Sequence, residues 1–127
     1  MAGVRQFEEW VAWQKARALT AEVYRVTRRD GFRADFGVKN QIQRAAVSIM
    51  SNIAEGFERY SRQEFKQYLS IARGSAAEVR SQLYVALDLD YLTQSEFNEL
   101  KERCIELSRL IAAMRATVDR EERDEPT

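Results

Sequence analysis

Apolar residues recur along most of this chain at alternating spacings of three and four, the period of helices that turn one face to a core. The clearest run is Phe65, Leu69, Ala72, Ala76, Val79, Leu83 and Ala86; a second is Phe97, Leu100, Cys104, Leu107, Ile111, Met114 and Val118. A repeat of roughly 3.5 residues favours helices that cross at a shallow angle, as in bundles. Each run is preceded by a start signal. Ser61 with Glu64, and Thr93 with Glu96, have the spacing of a capping box, and Tyr60/Phe65 and Leu92/Phe97 occupy the positions of a hydrophobic staple.

Two more helices are predicted upstream. The first runs from about Gln6 to Arg28, with Trp13, Ala16, Thr20, Val23 and Thr27 on one face and Trp10, Leu19 and Tyr24 beside it. Arg28 and Arg29 suit the negative end of its dipole, Gly31 is placed to reverse the chain, and Asp30–Gly37 reads as a loop. The second spans about Lys39 to Phe57, where Gly56 marks its end. It carries two apolar stripes, Ile42, Ala46, Ile49 and Ile53, and Val47, Met50, Ala54 and Phe57. Together they cover about half the circumference, more than a helix facing a single core needs.

Short connections near residues 57–60 and 88–92 then predict an all-α, antiparallel up-down-up-down four-helix bundle over residues 1–118. The tail DREERDEPT, residues 119–127, has no apolar stripe and is expected to fray. A length of 127 residues fits one domain, and a single proline and five glycines fit long helices better than a turn-rich β fold. No secretory signal is readable at the N-terminus, no apolar run approaches the ~18 residues of a membrane span, and the lone Cys104 leaves no disulfide pair. The expectation is a cytoplasmic protein without a membrane partner.

The chemistry on offer is narrow. With no histidine, the commonest general base and metal ligand is missing. Cys104 sits on an apolar stripe and reads as a core residue. Carboxylate di-metal bundles use Glu-x-x-His pairs, which this chain cannot form; Glu55, Glu64 and Glu78 are the carboxylates that remain for a metal. No catalytic residue, cofactor, metal or small-molecule substrate is therefore expected. A carboxylate-based metal-dependent enzyme stands as the alternative class.

Polar positions are more telling. Gln41, Arg44, Ser48, Asn52 and Glu55 form a stripe on the second helix, and Ser75, Glu78 and Gln82 form a row on the third. Either they are a solvated face or they make a polar network between the two helices, in which Arg44 and Glu78 are expected to approach. The row Ser70, Gly74, Ala77 and Ser81, together with Val47, Met50, Ala54 and Phe57, supplies candidate oligomer contacts. Arg25, Arg28, Arg29 and Arg33 form the candidate nucleic-acid surface, although a helix C-terminus attracts cations in any case. Net charge is zero, with 20 basic and 20 acidic side chains, so nucleic acid is not announced by composition.

The segment QIQRAAVSIMSNIAEGFER, residues 41–59, resembles the signature of a four-helix bundle family first noticed as 23S rRNA intervening-sequence proteins. The same family includes accessory variability determinant proteins of diversity-generating retroelements. FEEWVAWQKA at 7–16 and SRQEFKQYLSIARGSAAEV at 61–79 add to the likeness, which covers Phe7 to Met114. Matching positions include Gln41, Arg44, Ala45, Ser48, Asn52, Glu55, Gly56, Gly74, Ser75 and Glu78, whereas Gln43 stands where an arginine is usual. The resemblance implies a homopentameric barrel. For the retroelement members it also implies binding to a reverse transcriptase and to RNA or DNA through a basic surface. The expected function is thus a non-enzymatic oligomeric adaptor. An intervening-sequence protein of unknown role is the other branch of the same family.

Overall fold

The computed structural model describes residues 3–123. A short 3-10 turn over Phe7–Glu9 leads into five helices: α1 (Val11–Val26), α2 (Asp30–Ala34), α3 (Phe36–Phe57), α4 (Arg62–Asp88) and α5 (Gln94–Arg123). Four are long, and no strand is present among the described residues. Residue pairs across every seam show antiparallel neighbours, since numbers fall on one helix as they rise on the next. Thr20 of α1 and Thr27 at its C-cap meet Ala46 and Gln43 of α3. Ser48 and Gln41 of α3 meet Ser75 and Gln82 of α4. Lys66 and Ser70 of α4 meet Asp119 and Arg115 of α5. Lys15 and Arg29 reach Glu106 and Glu96, closing the bundle between α1 and α5.

The helices form where the apolar spacing places them, and their inward residues make one continuous core. Leu19, Val23, Ile42, Ile49, Ile53, Leu69, Leu83, Leu107 and Ile111 are all at most 1% exposed. Each of these burials removes a whole aliphatic side chain from water, worth about 1.5–3 kcal/mol. Met50 and Phe57, from the second stripe of α3, pack against this core while remaining partly exposed. The breadth of that apolar face is thus partly explained inside one chain.

Several local expectations need correction. The first helix starts at Val11, because Trp10 is extended and the residues before it make the 3-10 turn. The stretch Asp30–Gly37 is not a loop. Its Asp30–Ala34 portion is a helical turn that buries Phe32, and α3 begins at Phe36, where the Asp35 carboxylate accepts a hydrogen bond from the Val38 N–H at 3.2 Å. Gly31 lies within α2 and does not reverse the chain in the left-handed region. The non-glycine residue that adopts that conformation is Asp90, at φ 60°, in the α4–α5 connection. Ser61 caps α4, accepting from the Glu64 N–H at 3.1 Å, but Tyr60 is fully exposed and makes no staple with Phe65. At α5 both devices form: Thr93 and Glu96 exchange hydrogen bonds, and Leu92 and Phe97 are buried together. The boundary expected at residue 118 falls inside α5, which continues to Arg123 because Asp119 is anchored to Lys66 at 2.9 Å; residues 124–127 of the tail lie outside the described residues.

Gly56 sits one residue before the end of α3 rather than closing it. A Cβ there would lie 2.6 Å from the Tyr68 Cβ and 3.0 Å from the Phe65 ring, so its missing side chain sets how near α3 and α4 come. Gly74, in the middle of α4, has nothing within 4 Å of its Cβ position. The two glycines should therefore respond oppositely to alanine. Gly56→Ala is expected to cost about 1–3 kcal/mol through overpacking against a Tyr68 Cβ that cannot swing away. Gly74→Ala is expected to gain up to about 1 kcal/mol from helix propensity. Urea unfolding of the two variants checks both signs.

Candidate functional site

The α3–α4 seam carries the polar stripe. At its centre the Ser48 and Ser75 hydroxyls lie 2.8 Å apart, and the Asn52 amide donates to the Ser48 hydroxyl at 2.9 Å and to the Ser48 carbonyl at 2.7 Å. Ser75 is buried although it is polar. Satisfying these groups within the seam avoids the desolvation cost of roughly 1–3 kcal/mol that an orphaned hydroxyl would carry. Toward one end, the Gln82 amide donates to the side-chain amide oxygen of Gln41 at 3.4 Å, a long contact, and its own buried oxygen has no donor among the described residues. Toward the other end Glu55 leaves the stripe. It pairs instead with Arg59 at 2.8 Å, and both bond the Tyr68 hydroxyl, while the Arg59 guanidinium lies over the Tyr68 ring.

Arg44 and Glu78 lie between these contacts, on the same ridge, yet make no ion pair with each other. Both are exposed. The expected charge-assisted contact is therefore absent, and hydroxyl and amide groups align the hairpin instead. Gln43, where the family resemblance would place an arginine, donates to the buried Thr27 hydroxyl at 2.9 Å and ties α3 to the end of α1.

The arginine cluster at the end of α1 is mostly neutralised within the chain. Arg25 pairs with Glu22 at 2.7 Å, Arg33 with Asp30 at 3.3 Å, and Arg29 forms a two-pronged contact with Glu96. Among the described residues, Arg28 is the one of the four that makes no ion pair. Arg29, together with the Thr93 N–H, holds the Glu96 carboxyl down at about 2. Tyr91 was not singled out in the sequence, yet it joins two segments here. Its ring stacks on Phe32, and its hydroxyl donates to Asp35 at 2.7 Å, which holds the Asp35 carboxyl below its ordinary value and the tyrosine above its own. A useful signal was available, since Asp35 stands three residues before Val38 as an N-cap does.

The candidate oligomer contacts divide between two surfaces. Val47 is exposed on α3, whereas Met50, Ala54 and Phe57 are half-buried. Ser70, Gly74 and Ala77 line an open groove between α4 and α5, of about 700 Å³. Ser81, on the same helix, is exposed. No group of three or more His, Cys, Asp or Glu side chains is arranged to hold a metal ion among the described residues. Among them, too, no helix is long and apolar enough to cross a membrane.

The family model for the 23S rRNA-intervening sequence protein matches residues 8–113, most of the chain. The chain belongs to this family. A structural relative shares the fold. It is a protein of unknown function from the S23 ribosomal protein family of Bacteroides thetaiotaomicron, similar to this chain with a TM-score of 0.75 at 23% identity over 82% of this chain and 97% of its own. At that identity the likeness concerns the fold. No curated protein matches. For this intervening-sequence family member, the segment that carries the resemblance, residues 41–59, is the α3 side of the Ser48–Asn52–Ser75 seam.

Two titrations follow from this geometry. Glu96 has a folded-state value depressed from 4.5 to about 2, so its contribution to stability is complete above about 4.5 and is lost as pH falls toward about 2. Wild type should lose thermal stability as pH falls across that window, and Glu96→Gln should lose modestly less there when melting midpoints are followed against pH. Burial pushes the Cys104 thiol up to about 12. It should therefore resist a thiol-specific chromophoric reagent in the native protein at neutral pH and react at once in denaturant; rapid native labelling would contradict a closed core.

Proposed function

We propose that this chain is a non-enzymatic adaptor that works as a homo-oligomer, with the outward α3–α4 face as the contact between subunits. The observation that carries this reading is the set of aliphatic side chains left in water beside the polar seam. Ile71 and Val85 on one side of α4 and Leu89 at its C-cap are 52%, 42% and 48% exposed, and Val47 on α3 is 37% exposed. A spacing of fourteen keeps Ile71 and Val85 within about 40° of one another around the helix, and Leu89 follows at its end. Val47 and Tyr24 rim a shallow depression with Arg44, Asn40 and Gln43. Aliphatic residues grouped on one face are a mark of an association surface. The same face carries one cation and one anion without ion-pair partners, Arg44 and Glu78, and a second copy offers each its opposite.

The family resemblance supports five copies in a ring and a protein partner, a reverse transcriptase in the retroelement branch. RNA or DNA has thinner support, because three of the four arginines at the end of α1 are paired with carboxylates. The intervening-sequence branch, whose role is unknown, is the second reading, and the family placement favours it as much as the first.

Light scattering at micromolar concentration tests the assembly. A mass near five subunits is expected for wild type. Ile71→Glu combined with Val85→Glu should release folded monomers with unchanged helicity, because both side chains are already exposed within one chain. A wild-type monomer would remove the basis for the adaptor reading.

A further inference from the structure

A different surface collects positive charge. Along the α4–α5 seam, the end near the C-terminus is compensated: Lys66 pairs with Asp119 at 2.9 Å and Arg62 with Glu121 at 3.7 Å. Beyond them the pattern changes. Arg115 reaches across to the Ser70 hydroxyl at 3.0 Å, and Arg73 reaches back to the Ser108 hydroxyl at 3.3 Å. Neither has a carboxylate within ion-pair distance among the described residues, although Arg115 lies near enough to Asp119 to help Lys66 hold that carboxyl below its ordinary value. Arg80 follows Arg73 by two helical turns, about 10 Å, on the same side of α4, and it too lacks a carboxylate. This contrasts with Arg25, Arg29, Arg33, Arg59 and Arg103, each of which is paired with an acid.

Arg73 and Arg115 border a groove of about 700 Å³ whose walls are small, and Arg80 lies beyond its end on α4. Ser70, Gly74 and Ala77 come from α4, and Ala112 and Ala116 from α5. Gly74 weakens its own helix by about 1 kcal/mol relative to alanine, and no neighbour in the chain occupies the space its side chain would take. Packing within this chain gives no reason for that glycine. Shape and charge together describe an occupant: a helix with small residues along its contact face, so that the backbones approach closely, and with carboxylates about two turns apart. Arginine suits such a partner because its planar fork pairs carboxylates bidentately and is less strongly hydrated than an ammonium.

We infer that the α4–α5 groove is a docking site for an acidic helix of a partner protein, held by Arg73, Arg80 and Arg115 over the gap at Gly74. A protein helix fits this groove better than a nucleic acid does. Asp119 stands at one end of the groove, the cations are few, and the floor offers no aromatic side chain on which a base could stack. The inference concerns a face other than the proposed subunit contact, so it stands or falls separately from the oligomeric state.

The test uses the full chain and three fluorescent probes. One is an alanine-based helical peptide of about 20 residues with glutamates seven apart. The second is the same peptide with glutamine in their place, and the third is a single-stranded DNA of similar length. Anisotropy should show saturable binding of the acidic peptide, at least about tenfold weaker for the glutamine peptide and for the Arg73→Gln/Arg115→Gln protein. Gly74→Leu should also weaken binding about tenfold or more, although the space above the groove lets it fold as well as wild type, which its unfolding midpoint verifies. Failure of the acidic peptide to bind, equal binding of the two peptides, or binding indifferent to the arginine and Gly74 variants would overturn the inference. DNA binding that is lost in Arg73→Gln/Arg115→Gln, without peptide binding, would reassign the groove to phosphate.

Discussion

The approach of α3 to α4 governs the rest of this bundle. At Gly56 the helices are so close that the space for one Cβ is already taken by the Cβ of Tyr68. Farther along, two serine hydroxyls meet at 2.8 Å where a larger pair of side chains would hold the helices apart. Small groups at both points fix the separation and the register of the hairpin together. With α3 and α4 set, Phe65, Leu69, Ala72 and Ala76 are placed to receive α5 on one side, and Ile42, Ala46, Ile49 and Ile53 to receive α1 on the other. An apolar core alone tolerates sliding, since one aliphatic contact resembles the next. A hydroxyl buried in the seam does not, because slippage would strip Ser75 of its partner in a place water does not reach.

The same economy explains which charges remain available to other molecules. Where α1, the α4–α5 connection and the start of α5 converge, arginines meet acids. The two-pronged Arg29–Glu96 contact also finishes the capping box of α5, so one carboxylate serves helix start and bundle closure at once. Exposed pairs of this kind contribute little to stability, but they remove positive potential from the surface. In the middle of the seam between α4 and α5, Arg73 and Arg115 make no ion pair among the described residues. Cations there lean on serine hydroxyls, which satisfy hydrogen-bonding without cancelling charge. The proposed surfaces for assembly and for partner binding are thus distinct in chemistry: aliphatic side chains outside the α3–α4 seam, guanidinium groups over the α4–α5 groove.

Much of this was legible in the residues taken in order. The alternation of threes and fours located four long helices, since helical periodicity is local and needs no knowledge of neighbours. The box at Thr93 and Glu96 announced the start of α5 for the same reason, and the identities of Gln41, Ser48, Asn52, Ser75 and Gln82 pointed to a polar seam. The matching segment at 41–59 also identified the family without any coordinates. Where local reasoning failed, a distant partner was responsible. The Asp30–Gly37 stretch has loop-like composition, yet Phe32 finds Tyr91 to stack upon and Asp35 finds the Tyr91 hydroxyl, fifty-six residues away, so the segment closes into a helical turn and a cap. Tyr60 has the position of a staple residue but points into water.

Sequence by itself therefore determined the class of fold, the number of long helices, the buried faces and the absence of histidine chemistry, because each is a property of composition or of near neighbours along the chain. Tertiary structure decided which charges cancel. Arg44 and Glu78 were near enough in register to be paired on paper, yet they stand apart; Arg29 and Glu96, sixty-seven residues apart, came together. Arg73 and Arg115 meet serine hydroxyls across their seam, where Arg29 meets a carboxylate across its own. An ion pair depends on a few ångströms and on side-chain direction, and both are set only when the helices have packed.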